Sequence, residues 1–317
     1  MSFKNIKGQD KAVNLLRAYF EQARLEGAFL FTGPEGIGKK MTAITLAKAL
    51  NCDSHNSDAC DVCASCKKIE AAQHPDIHLI DDSEGEIKID FIRTLQKEIS
   101  LRPYEARKKV FLIDNAHRLN QEASNALLKI LEEPPKSSLI ILTSDKPRLL
   151  FKTILSRCKP IKFTALPRHE LEEVLANDYA LGRSAAHFLS YFCEGRLGMA
   201  LRLKETDFIK EKNAVIDRFV SGPKLDISGL TDKEVIRGDL NILAAWFRDV
   251  YLLKAGIDPS LAVNLDRKSD LIREEKRFSL LELDTILNTI SDSILRLDQN
   301  INPRLLLFNL GAQTWKA

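Results

Sequence analysis

Lys109-Val-Phe-Leu-Ile-Asp-Asn-Ala-His117 sets a carboxylate at the end of a buried-type apolar run. In a nucleotide-hydrolysing site, such a run is a strand whose terminal Asp reaches the nucleotide's magnesium. The residue after it is a Glu that polarises the attacking water. Here Asp114 keeps the first position and Asn115 takes the second. An amide cannot accept a proton at neutral pH, so general-base help is lost. Gly33-Pro-Glu-Gly-Ile-Gly-Lys39-Lys40 matches G-x-x-x-x-G-K-[ST] at every position but the last. Its backbone N–H groups, with the start of a helix expected over 41–50, would cradle phosphates. Lys39 would reach the β- and γ-phosphates, whereas Lys40 puts a cation where a magnesium-ligating hydroxyl belongs. Gly33, Gly36, Gly38, Lys39 and Asp114 thus form a candidate nucleotide site in degenerate form. ATP or ADP binding stays open there, and intrinsic hydrolysis is not expected.

A second chemistry lies in Cys52, Cys60, Cys63 and Cys66, spaced C-x7-C-x2-C-x2-C. Four thiolates so spaced can close a tetrahedral shell, which Zn²⁺ prefers, and leave no position for water, so the site would be structural. The polar stretch Asp53-Ser-His-Asn-Ser-Asp-Ala59 has little to hold itself together without such a staple. Four free thiols or a redox C-x-x-C are the alternatives, and no thioredoxin-like context surrounds the pair. His55 and His74 lie nearby, but the cysteines already fill the shell. Cys158 and Cys193 are too distant in sequence to belong, and Cys193 is expected in the core.

The elements that must position these groups can be read from periodicity. Strands are expected over 28–32, 76–80, 109–113 and 138–143, alternating with helical stretches, which implies a parallel sheet flanked by helices. Asn120 can cap a helix with Ala123, Ala126, Leu127, Ile130 and Leu131 on its apolar face, ended by Pro134-Pro135. From Leu166 the pattern turns helical, with a break at Gly222-Pro223. Further helical periodicity spans 240–254, 280–299 and 303–315. The expected organisation is therefore an α/β phosphate-loop domain over 1–165 carrying the cysteine module at 52–66. A small helical domain over 166–222 and an all-α domain over 223–317 follow.

Composition bounds the function classes. The 317 residues are 44% hydrophobic and 29% charged, as in globular proteins. A net charge of +3 gives no strong nucleic-acid signal. No apolar run is long enough to span a membrane, and the first residues lack a signal-peptide core, so a cytoplasmic location is expected.

Taken together, these segments resemble the bacterial DNA polymerase III clamp-loader subunits, of the AAA+ class. The resemblance is carried by Phe3-Lys-Asn-Ile-Lys-Gly-Gln9, the phosphate loop, the four-Cys insert and the Asp114 strand. Asn120-Gln-Glu-Ala-Ser-Asn-Ala-Leu-Leu-Lys-Ile-Leu-Glu-Glu-Pro-Pro135, Ile154-Leu-Ser-Arg-Cys158 and Asn302-Pro-Arg-Leu-Leu-Leu-Phe308 extend it over the chain. It implies an AAA+ domain, a helical lid and a C-terminal collar through which subunits form a five-membered ring. Partners would be the gamma/tau and delta subunits, with the sliding clamp and primed DNA met through the assembled complex. Motor members of the gamma or tau kind hydrolyse ATP, whereas members of the delta-prime kind act as stators.

Three positions depart from the motor pattern: Lys40, Asn115, and Gly198 in Gly195-Arg-Leu-Gly-Met-Ala200, where a motor carries its lid arginine. Arg196 is out of phase and is expected as a surface charge. Ser156-Arg157-Cys158 matches the trans-acting arginine motif, so Arg157 is the candidate catalytic group toward a neighbouring subunit's γ-phosphate. Thr143-Ser144 matches the sensor position. The resemblance favours the stator. A motor in which Thr42 or a water substitutes for the lost hydroxyl is the second reading. A DNA-binding protein acting through the cysteine module is the third, weakened by Asp53, Asp58 and Asp61 around the cysteines.

Overall fold

The structure is a computed structural model that describes residues 1–54, 57–81, 85–220, 232–297, 299, 306–308 and 310–311. Two compact units divide the chain. One comprises residues 1–166 with 196–199, the other 167–195 with 200–317.

In the first unit the strands are β1 (Gly27–Thr32), β2 (Ile77–Ile80), β3 (Lys109–Ile113), β4 (Ser138–Ser144) and β5 (Lys159–Lys162). They form one all-parallel sheet in the order β2-β3-β4-β1-β5. The helices are α1 (Asp10–Glu21), α2 (Lys39–Asn51), α3 (Ala64–Glu70), α4 (Ile89–Ile99), α5 (Gln121–Glu132) and α6 (Lys152–Leu155). Side chains alternate across each strand, so one sheet builds two cores. Phe29, Phe31, Val110, Leu112, Leu139 and Ile141 face α1 and α2. Leu30, Phe111, Ile113, Ile140 and Leu142 face α4, α5 and α6. This is the parallel α/β sheet flanked by helices that the alternating pattern implied.

The four expected strands are present within a residue of their expected ends, but β5 was not anticipated. Lys159-Pro-Ile-Lys162 pairs with β1 along one side only and closes that edge of the sheet. A proline and two lysines are edge-strand chemistry, and they hide the apolar alternation that marks a strand. Asn120 does cap α5, with its side-chain oxygen accepting from Ala123 N at 2.8 Å.

The second unit is helical. It contains α7 (Arg168–Asn177), α8 (Arg183–Phe192), most of α9 (Leu197–Glu205), α10 (Phe208–Val220), α11 (Lys233–Lys254), α12 (Lys268–Glu275) and α13 (Leu280–Leu297). Trp246, Phe247 and Leu283 are buried in it, as is Cys193. Gly222-Pro223 and most of the expected helix over 303–315 lie outside the described residues, though Leu306, Leu307 and Leu310 are buried. Among the described residues no helix is long and apolar enough to cross a membrane.

Candidate functional site

The Gly33–Lys40 loop, the acidic strand end at Asp114 and Thr143-Ser144 converge at the carboxyl ends of β1, β3 and β4. That edge is where open parallel sheets place their ligands. Thr32 pairs with Ser144, and Ile113 pairs with Leu142, so adjacent strand ends deliver Gly33, Asp114 and Thr143 to one place. The loop between β1 and α2 turns through Gly36 (φ 76°) and Gly38 (φ 98°), backbone that L side chains rarely adopt. Gly38 caps α2 and aims the start of that helix at the loop.

The expected site residues are brought together, but their side chains are engaged with the protein itself. Lys39 Nζ donates to the carbonyls of Gly33 and Pro34, each at 2.7 Å. Burial holds its pKa below the ordinary lysine value, against the opposing pull of Asp145, Asp114 and Glu35. Lys40 Nζ lies 2.5 Å from Asp81 Oδ2 and 3.3 Å from Asp114 Oδ2. Burial disfavours its charge, but the hydrogen bond to Asp81 and the charge of Asp114 win and raise its pKa. The other oxygen of Asp114 accepts a hydrogen bond from Thr143 Oγ1. Thr143 in turn accepts from the backbone N–H of Asn115 at 3.2 Å.

Asn115 sits at φ 50°, a left-handed conformation that asparagine tolerates better than most residues. Thr42, the substitute hydroxyl of the motor reading, is fully buried and donates to Gly38 O at 2.9 Å. It is held by the start of its own helix.

Gly198, at the start of α9, approaches the loop directly. Its N–H donates to Gly36 O at 2.7 Å. A Cβ at this position would stand 2.7 Å from that same carbonyl oxygen. Any side chain at 198 would therefore press on the phosphate-loop backbone. Arg196, expected at the surface, is half-buried and has an interaction partner.

Arg157 follows α6 on the surface of the first unit. Its Nη1 donates to Thr153 O at 3.0 Å and to Ser156 Oγ at 3.3 Å, and its Nη2 donates to Glu132 Oε1 at 2.7 Å. Cys158 beside it is buried, which pushes its thiol up to about 12.

The four cysteines of the module do converge. Their Sγ atoms all lie within 4.8 Å of one another. Tetrahedral zinc–thiolate bonds put sulfurs roughly 3.8 Å apart, so the group fits a single dication with small adjustments. Cys52 ends α2, Cys63 caps α3 and Cys66 lies in its first turn. Backbone N–H groups of Cys60, Cys63 and Cys66 point at the sulfurs of Cys52, Cys60 and Cys63 at 3.3–3.4 Å. Burial opposes a charge on Cys52, but hydrogen bonds from Ser54 and Cys60 prevail and hold it down at about 6. Burial, together with Cys63 and Cys52, pushes Cys66 up to about 12. A dication would relieve that crowding of negative charge.

His55 lies outside the described residues. His74 is not part of the cluster, and its Nδ1 accepts from Asp76 N at 3.2 Å.

Three site residues escaped the sequence reading. Asp81 stands at the end of β2, next to β3, and holds Lys40. An acid directly after the apolar run 77–80 was the available signal. Lys48 is buried on α2 and pairs with Asp61 at 3.0 Å and with Glu70, tying the cysteine loop to the phosphate-loop helix. It showed only as a lysine in an otherwise small and apolar helix. Glu132 holds Arg157, and no local pattern announces that pair.

A family model described as DNA polymerase III, delta subunit, matches residues 8–167, and one described as its C terminal matches residues 207–311. The chain belongs to the DNA polymerase III delta subunit family. Among related proteins, DNA polymerase III subunit delta' of Bacillus subtilis (strain 168) is 38% identical over 167 residues, 53% of this chain and 51% of that protein. DNA polymerase III subunit tau of Escherichia coli (strain K12) is 36% identical over 210 residues, 64% of this chain and 32% of that protein. The chain thus spans about half or less of the length of these relatives. A DNA polymerase III gamma subunit-related protein of Thermotoga maritima superposes with a TM-score of 0.49 at 17% identity, covering 96% of this chain and 99% of that one.

Proposed function

We propose that this delta-family chain is the stator, or delta-prime, subunit of a bacterial clamp loader that places a sliding clamp on primed DNA. The observation that carries this reading is the Lys40 ammonium lying against Asp81 and Asp114. A tethered monovalent cation there leaves Asp114 paired within the chain, where a hydrolysing site needs it for magnesium. Asn115 removes the base, and Gly198 leaves no room for the lid arginine.

The chain would work in the cytoplasm with gamma/tau and delta partners. It would present Arg157 to the ATP of an adjacent motor. Residues 166–222 would form the lid and 223–317 the collar. Cys52, Cys60, Cys63 and Cys66 would hold a structural Zn²⁺, which would brace the insert and take no part in hydrolysis. Gly33, Gly36, Gly38, Lys39 and Asp114 would remain as a vestigial nucleotide site. The motor reading is disfavoured by the engagement of Thr42 with Gly38.

The test is ATPase of the purified chain alone, then with gamma/tau and delta subunits, clamp and primed DNA. The expected result is no turnover alone and stimulated turnover in the mixture that falls with Arg157→Ala. Magnesium-dependent turnover by the isolated chain, abolished by Lys39→Ala, would overturn the stator reading.

A further inference from the structure

Glu132 ends α5 at a place where a carboxylate is electrostatically misplaced. Unsatisfied carbonyls give a helix C-terminus partial negative charge, which favours cations over anions. The side chain of Glu132 fills no core, being 53% exposed. It lies one residue after the buried Leu131 and two before Pro134-Pro135, at the C-terminal end of the helix whose N-terminus Asn120 caps. Its hydrogen-bond partner is the guanidinium of Arg157, at 2.7 Å.

We infer that Glu132 is the positioning residue for Arg157, fixing its guanidinium for the phosphoryl oxygens of a nucleotide held by another subunit. The inference rests on the trans-acting role proposed for Arg157. An arginine side chain carries about 2 kcal/mol of rotamer entropy, which a working guanidinium must surrender before or during the reaction. Thr153 O and Ser156 Oγ hold Nη1 from the arginine's own turn, and they leave the head free to swing about that anchor. Glu132 supplies a second anchor from a different helix and fixes the plane. These three hydrogen bonds occupy three of the five guanidinium donors, so two are left for a γ-phosphate. Among the described residues, one carboxylate oxygen of Glu132 has a hydrogen-bond partner. A misplacement of about 1 Å at a reacting phosphoryl group can cost on the order of 100-fold in rate.

The test uses the full chain assembled with gamma/tau and delta subunits, clamp and primed DNA. Glu132→Ala should lower the DNA-stimulated kcat roughly tenfold while KM for ATP shifts less than about twofold, since the guanidinium acts on the transition state. Glu132→Gln, which keeps an acceptor oxygen, should restore most of that loss. In an Arg157→Ala background, Glu132→Ala should cost nothing further, as for two residues acting as one unit. Unchanged kcat for Glu132→Ala would overturn the inference. So would a loss of full size persisting in the Arg157→Ala background, which would mark Glu132 as a structural or independent residue. If Arg157→Ala itself leaves turnover intact, the proposed trans role fails, an outcome distinct from failure at Glu132 alone.

Discussion

At the residue scale, Lys40 shows how one substitution changes the meaning of a site. A serine or threonine in its place would present a neutral hydroxyl to a metal ion. A lysine brings its own charge and settles on the two carboxylates, Asp81 and Asp114. The pKa of Lys40 is raised in the folded chain. Its contribution is therefore fully present below the ordinary lysine value, about 10.4, and is lost as pH rises through the raised folded value. Because the ammonium is partly exposed, solvent screening limits that contribution to about 1 kcal/mol or less. Lys40→Met should lower stability by up to that amount in urea unfolding at pH 7, and the difference should close above about pH 10.4. A gap that widens with rising pH would contradict this charge assignment.

At the scale of elements, the phosphate loop is closed from two directions. Strand β1 delivers it and α2 anchors it through Gly38, while the first turn of α9 leans on Gly36 through Gly198. Adding a methyl group at 198 places an atom against a backbone oxygen that cannot rotate away. Gly198→Ala should therefore destabilise the chain by about 1–3 kcal/mol, as overpacking does. Thermal unfolding measures it, and limited proteolysis within 195–200 should quicken in parallel. Helix α5 lies between two parts of the proposed mechanism, since it starts seven residues after Asp114 and ends at Glu132 beside Arg157.

At the scale of the whole molecule, the cysteine module is a brace rather than a separate domain. Cys52 is the cap of the same helix that begins at the phosphate loop, and buried Lys48 on that helix holds Asp61 between two of the cysteines. Metal removal should therefore weaken the first unit as a whole. Purified chain should carry about one zinc ion, and a chelator strong enough to strip it should lower the melting temperature by roughly 5 °C or more. Metal analysis and a melting curve check both parts. Cys63→Ser should reproduce the shift, and a chain that melts identically with and without chelator would remove the structural role.

By itself the sequence determined what is local. The β1–loop–α2 segment, the four-Cys spacing, the Asn120 cap and the buried runs of β3 and β4 are written in adjacent residues. Periodicity and turn chemistry act over a few positions, so they are legible without a fold. Tertiary structure decided the pairings between distant residues: Lys40 with Asp81, Gly198 with Gly36, Lys48 with Asp61 and Arg157 with Glu132. It also made a strand of Lys159–Lys162, which its composition disguises, because β1 offered an unpaired edge. The physical reason is common to all of these. A charge, a hydrogen bond or a missing Cβ acts over a few ångströms of space, and only the sheet order determines which residues share that space.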